Sequence, residues 1–168
     1  FTKELGSGTY GQVFKGLFRG QKVAIKVLKA IDRKTLQEFK KEFQIMSAVQ
    51  SPHIVGFYGA CLSPRVCMCM EYCARGSLHS VLTNDYQDIN WDMALRFATD
   101  MLEALCVLHS WSPPILHRDL KSHNILVTKQ WEIKLCDFGT ARFDTEDNMK
   151  TLAKMAGTYA YLAPEMFY

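Results

Sequence analysis

Short apolar runs broken by glycine and polar residues fill the first third of the chain. "FTKELGSGTYGQVFKGLF" holds two apolar stretches around a glycine-rich turn, and "QKVAIKVLKA" follows the Arg19-Gly20 turn. Val23, Ala24, Ile25 and Val27 predict a strand, because such side chains pack well on a pleated surface. The period then changes. Leu36, Phe39, Phe43, Met46 and Val49 recur at spacings of three and four, which lines one face of a helix from Lys34 to Val49. "SPHIVGFYGACL" and "RVCMCMEYC" return to strand character, and Gly76 marks a break. A longer helix is predicted from Trp91 to His109, with Ala94, Ala98, Met101, Leu105 and Leu108 on one face. Asn90 is its expected cap and Pro113-Pro114 its stop. "ILVTKQWEIKL" predicts a hairpin turning near Lys129-Gln130, and the polar stretch from Asp144 to Ala156 predicts a loop. A β-rich first half and a helix-led second half make this an α+β chain of two lobes, divided near residues 71–76.

Composition narrows the function classes. The 168 residues are 48% hydrophobic and 22% charged, enough for a real core. Net charge is only +3 with both signs interspersed, too small to argue for nucleic acid or membrane binding. No apolar run approaches the roughly 18 residues of a membrane span. Four of the six cysteines, Cys61, Cys67, Cys69 and Cys73, cluster, but no second C-x-x-C or His-rich element completes a zinc site. With Cys106 and Cys136 they read as reduced, mostly buried thiols of a cytoplasmic protein.

Against this background "ILHRDLKSHNILV", Ile115 to Val127, stands out. Its ends are apolar, yet His117, Arg118, Asp119, Lys121, His123 and Asn124 lie between them. Buried charge is costly unless partnered. The stretch is a structural salt-bridge knot or a place where something charged binds and reacts.

Other stretches carry phosphate chemistry, each with a plain structural alternative. "GSGTYGQV", Gly6 to Val13, would let backbone N–H groups approach a phosphate, or is a glycine hairpin without ligand. Its strand-like continuation at Val13-Phe14-Lys15 argues against a dinucleotide-binding oxidoreductase, which needs a helix there. Lys26, ending "VAIK", is an exposed edge residue or the partner of Glu42, which sits at the edge of the first helix's apolar face. Asp137 in "CDFG" is an Asx turn or a hard oxygen ligand for magnesium, with Asn124 offering a neutral oxygen to a second ion.

In this order, G-x-G-x-x-G-x-V, V-A-I-K, H-R-D-L-x-x-x-N, D-F-G and A-P-E (Ala163–Glu165) resemble the protein-kinase signature. "HRDLKSHN" and "GTYAYLAPE" look most like the tyrosine-kinase-like group, with its Raf-like and mixed-lineage members, which phosphorylate mainly serine and threonine. The resemblance implies an N-lobe and hinge over residues 1–73, the first part of a C-lobe over 74–168, and ATP with Mg²⁺ as cofactors. It implies that Leu5, Gly6, Ser7, Gly8, Thr9, Tyr10 and Gly11 cover the nucleotide. Val13, Ala24 and Leu126 would hold adenine, Glu71 and Cys73 would meet its polar edge, and Met70 would narrow the pocket behind it. Lys26, paired with Glu42, would contact the α- and β-phosphates; Asp137 and Asn124 would bind magnesium; Asp119 would accept the substrate hydroxyl proton, assisted by Lys121. His117, Phe138, Met46 and Phe57 match the family's stack of apolar side chains. Arg118 and Arg142 could receive a phosphate placed on Thr145 or Thr151 by an upstream kinase, or pair with Asp144, Glu146 or Asp147. Ser51-Pro52-His53 departs from the commoner His-Pro-Asn. The chain stops three residues after Glu165, so a fragment of a longer kinase is expected, inactive alone. The competing reading is a pseudokinase scaffold, against which stands the presence of Lys26, Asp119, Asn124 and Asp137.

Overall fold

A computed structural model describes residues 2–7, 11–29, 32–144 and 157–167. Five antiparallel strands form one sheet in the order β1-β2-β3-β5-β4: β1 Lys3–Ser7, β2 Gly11–Phe18, β3 Gln21–Leu28, β4 Phe57–Cys61 and β5 Cys67–Glu71. Arg19 and Gly20 join β2 to β3 as a two-residue turn, both with positive φ (50° and 80°). That conformation matches the twist of the flanking strands and favours glycine in the second place.

Helix α1 (Arg33–Ala48) lies between β3 and β4 in the chain, and the Asp32 carboxylate accepts the Thr35 N–H at 2.8 Å to cap it. Its buried stripe is Phe39, Glu42, Ile45, Met46 and Val49. The expected Phe43 is 37% exposed and meets Phe57 edge-on at 5.5 Å instead. Positions 42, 45, 46 and 49 fall on one face at 3.6 residues per turn, which turns position 43 to the flank.

After β5 the chain forms α2 (Leu78–Leu82) and α3 (Trp91–His109). Asn90 caps α3 as expected, accepting the Met93 N–H at 2.9 Å. The face of α3 differs in one respect: Ala98 is exposed, and Phe97, Ala104 and Leu108 are the buried residues. Phe97, Met101, Ala104 and Leu108 recur at four, three and four, a tighter stripe than the one through Ala98. Beyond it, β6 (Ile115–Leu116) pairs with β9 (Arg142–Phe143), and β7 (Ile125–Val127) with β8 (Ile133–Leu135) in the expected hairpin.

One buried cluster joins Phe39, Ile45 and Met46 of α1 to Met68 and Met70 of β5, Ala104 and Leu108 of α3, and Phe138. The segment before β4 fastens the sheet to β8: the Val55 N–H donates to Leu135 at 3.0 Å, and the Leu135 N–H to His53 at 2.9 Å. His53, the departure from the family pattern, reaches across to α3, with Nε2 2.8 Å from Glu103 and Nδ1 3.7 Å from Asp100. All six cysteines are free, but Cys73 is the one fully buried; Cys61 and Cys106 are exposed, so the thiols are less buried than their clustering suggested. No helix among the described residues is long and apolar enough to cross a membrane.

Candidate active site

Lys26 projects from β3, in register with Val13 of β2 and Met68 of β5. Its ammonium donates to both Glu42 oxygens at 2.6 and 2.8 Å and to Asp137 Oδ1 at 3.3 Å. Burial disfavours the ammonium, but the Glu42 and Asp137 carboxylates outweigh it and hold the Lys26 pKa above its ordinary value. Burial pushes the Glu42 carboxyl the opposite way for an acid, upward, while Lys26 pulls it down. Two short hydrogen bonds to a cation keep the pair ionised.

The loop between β6 and β7 builds the second half of the site. Asp119 receives three side-chain donors: Thr158 Oγ1 to Oδ1 at 2.8 Å, Lys121 Nζ to Oδ2 at 2.6 Å, and Asn124 Nδ2 to Oδ2 at 2.9 Å. Lys121 also donates to Thr158 Oγ1 at 2.7 Å, and Asn124 Nδ2 to the Asp119 carbonyl at 2.8 Å. Burial raises the Asp119 pKa, yet these donors outweigh it and hold the carboxyl below the usual aspartate value. The carboxylate is therefore present at neutral pH with its lone pairs directed by neighbours.

Backbone geometry fixes that loop. Arg118 adopts φ 65° and donates through Nε to the Thr140 carbonyl at 2.8 Å, while Thr140 Oγ1 donates to the His117 carbonyl at 3.0 Å. His117 is buried, its Nε2 2.9 Å from the Cys136 carbonyl and its ring edge-on to Phe138 at 5.2 Å. Burial lowers the His117 pKa, so the imidazole is neutral and serves as packing. Gly157 has φ 113°, and a Cβ there would lie 2.8 Å from the Arg118 carbonyl oxygen; glycine lets the Thr158 segment close onto the loop.

Asp137 has left-handed backbone (φ 62°, ψ 75°), and its side chain is 51% exposed, so it can meet a ligand while touching Lys26. The residues expected to stack do share the core: Met46 and Phe138 are buried and Phe57 half-buried within the common cluster. Ala24 of β3 pairs with Met70 of β5, both buried, and a bridge from Ser77 to Leu126 brings β7 to the segment after β5. Val13 pairs with Lys26 one strand over, so the residues expected around adenine stand on the adjacent strands β2, β3 and β5 and on β7. Cys73 is buried just after β5, and burial pushes its thiol up to about 12. Leu5, Gly6 and Ser7 lie exposed on β1 and Gly11 opens β2. Gly8, Thr9 and Tyr10 lie outside the described residues.

Three partnerships have no local sequence signal. The Glu71 carboxylate accepts the Gly56 N–H at 3.1 Å and Lys134 Nζ at 3.0 Å, so its side chain ties the strand to β8. Arg142 pairs with Glu38 of α1 at 2.9 Å. Glu38 is not among the partners expected for Arg142; of those, Asp144 donates its backbone N–H to Pro114 at 2.6 Å, and Thr145, Glu146, Asp147 and Thr151 lie outside the described residues. Ser122 Oγ and Tyr161 Oη, 2.9 Å apart, add a tie between the loop and the 3₁₀ turn Tyr159–Tyr161.

A buried lysine–carboxylate pair, an exposed aspartate touching that lysine and an aspartate held by three donors occur together in one chain that matches the protein kinase domain over residues 1–167. The chain belongs to the protein kinase family. It is 56% identical to stress-activated protein kinase alpha of Dictyostelium discoideum, over 100% of this chain and 26% of that relative. It is 52% identical to a probable serine/threonine-protein kinase of the same organism, over 98% of this chain and 17% of the relative. It is 46% identical to ankyrin repeat-containing protein kinase A, also of that organism, over 99% of this chain and 11% of the relative. The chain thus spans about a quarter or less of these curated relatives. Its sheet and helices are those of the bilobal kinase fold.

Kinases of this family use ATP with Mg²⁺. The donor set fits such an ion: Asp137 and Asn124 offer hard oxygens, and no cluster of three acidic, His or Cys ligands closes a cage among the described residues. Mg²⁺ characteristically takes one or two carboxylates and completes its shell with waters and substrate phosphates.

Proposed function

We propose that the chain is the catalytic core of a serine/threonine protein kinase, transferring the γ-phosphoryl group of ATP to protein hydroxyls. The observation that carries this reading is the trio Asp119, Lys121 and Thr158, joined by hydrogen bonds of 2.6–2.8 Å. Asp119 accepts the proton of the attacking hydroxyl. Lys121 neutralises charge as the new P–O bond forms, which suits a short serine or threonine side chain held close to its own backbone. Lys26, held by Glu42, binds the α- and β-phosphates. Asp137 and Asn124 hold Mg²⁺, which when bound neutralises phosphate charge. Val13, Ala24 and Leu126 enclose adenine in front of Met70, and its polar edge meets the backbone at Glu71 and Cys73. In this reading residues 1–73 are the N-lobe and hinge, and 74–168 the first part of the C-lobe. The relatives' names support the serine/threonine assignment, and the motifs "HRDLKSHN" and "GTYAYLAPE" support the tyrosine-kinase-like one. Free cysteines throughout fit a cytoplasmic setting. Arg118 and Arg142 form a receiving site for a phosphate placed on Thr145 or Thr151 by an upstream kinase, Arg142 then exchanging Glu38 for it.

Acceptor choice is tested with a peptide offered in three versions, Ser, Thr or Tyr at the same place. The full-length protein should favour Ser and Thr over Tyr by at least about tenfold in kcat/KM. Preference for Tyr would overturn the assignment.

A pH profile tests the role of Asp119. The base form exists above the carboxyl pKa, and this pKa is depressed by Lys121, Thr158 and Asn124. Activity should therefore persist through mild acid and fall only as pH drops through that depressed value. Lys121→Ala removes a lowering influence and should move the acid limb of kcat/KM upward. An acid limb unmoved by Lys121→Ala contradicts the assignment of Asp119 as the base.

A further inference from the structure

The outer face of the β4–β5 hairpin carries chemistry that phosphate transfer does not use. Cys61 ends β4 and Cys67 begins β5, and the two are direct partners in the antiparallel ladder. Partners in such a ladder have Cα atoms about 4.5–5.5 Å apart and side chains on one face. A disulfide needs a Cα separation of about 4.4–6.8 Å, so the pairing already meets it. The Cys61 thiol donates to the Ser63 carbonyl at 2.8 Å, within the same tight connection that brings Cys67 opposite it. Cys61 is exposed and Cys67 half-buried.

The neighbours favour this pair. Burial alternates along β5: Met68 and Met70 face the core, while Cys67 and Cys69 are half-buried on the other side. A bond on that side leaves the core packing intact. Cys69 lies opposite Gly59, so it has no thiol directly across the ladder. Only residues 62–66 separate the two cysteines, and so short a loop favours encounter within the chain over encounter between chains.

We propose that Cys61 and Cys67 form a reversible disulfide on exposure to hydrogen peroxide. The Cys61 thiolate attacks one peroxide oxygen; the O–O bond breaks, the departing hydroxide takes a proton as water, and sulfur is oxidised to sulfenic acid. The Cys67 thiol then attacks the Cys61 sulfur; the S–O bond breaks, the S–S bond forms, and a second water leaves with the thiol proton. Two thiols lose two hydrogens and one peroxide becomes two waters. Exposure lets Cys61 meet peroxide first, and the half-buried Cys67 across the ladder is then the resolving partner.

Trypsin makes the test direct, because Arg65 lies between the two cysteines. In peroxide-treated full-length protein, digested without reductant, the bond should join peptide 42–65 to peptide 66–75. Fragmentation should place it on Cys67, and dithiothreitol should release both peptides. The linked species should survive Cys69→Ser and vanish in Cys61→Ser and in Cys67→Ser. Linkage of Cys61 to Cys69 or Cys73, or to a second molecule, overturns the proposal. So does full alkylation of Cys61 and Cys67 at a peroxide dose that already oxidises the exposed Cys106.

Discussion

Replacing Lys26 by methionine in the full-length protein should remove phosphate transfer and weaken the fold at once. Charge stabilisation of a transferring phosphoryl group is typically worth a factor of about 10² or more, so turnover should fall by at least that. The stability loss has a separate origin. Glu42 is 5% exposed, and its carboxylate takes both of its short hydrogen bonds from Lys26. Removing one partner of a buried ion pair costs about 3–5 kcal/mol, because the other charge stays buried without compensation. Urea unfolding of Lys26→Met should show this loss. The double variant Lys26→Met with Glu42→Leu should recover most of the stability and none of the activity. Turnover near wild type in Lys26→Met would sink the assignment of the lysine to the phosphates. Recovery of both properties in the double variant would mean that the pair is structural only.

Asp119→Asn should separate chemistry from binding. Asparagine can still accept the Thr158 hydroxyl, now 2.8 Å from Oδ1, so the loop keeps much of its frame. It cannot take a proton, and it loses the charge that attracts Lys121 at 2.6 Å. General base catalysis contributes typically about 10²–10⁴-fold, so kcat should fall within that range while KM for ATP changes little. Steady-state kinetics decides it. A kcat near wild type would remove Asp119 from the reaction, and a large rise in KM with kcat unchanged would make it a binding residue.

Much of this site is legible in the chain because its parts announce themselves locally. The period of three and four places α3, and Asn90 is read as its cap from residue type alone. Arg19-Gly20 and the Lys129-Gln130 turn follow from the breaks between β-prone runs. Lys26 and Glu42 stand sixteen residues apart and still pair, because an acid on the apolar side of a helix needs a cation. What escapes is either too short or too distant. The five residues of α2 contain little more than one turn, and its Ser77 cap looks like any loop serine. Glu38 with Arg142, and Glu71 with Lys134, join elements far apart in the chain, and no spacing encodes such a meeting. Helical drift explains why Ile45 takes the buried place expected of Phe43, and Phe97 and Ala104 the place expected of Ala98. The family resemblance of "GTYAYLAPE" already points to Thr158 as a contact of the catalytic loop, and the 2.8 Å bond to Asp119 bears this out; what only the folded backbone discloses is that Gly157 closes over Arg118 to allow it.

The central claim is that this site moves the γ-phosphoryl group of ATP onto serine and threonine. The most direct measurement supplies full-length protein with γ-labelled ATP, Mg²⁺ and a generic protein substrate, followed by phosphoamino-acid analysis of the product. The account predicts label in phosphoserine and phosphothreonine from the wild type and almost none from Asp119→Asn. Label chiefly in phosphotyrosine, or equal labelling by the two proteins, would contradict it.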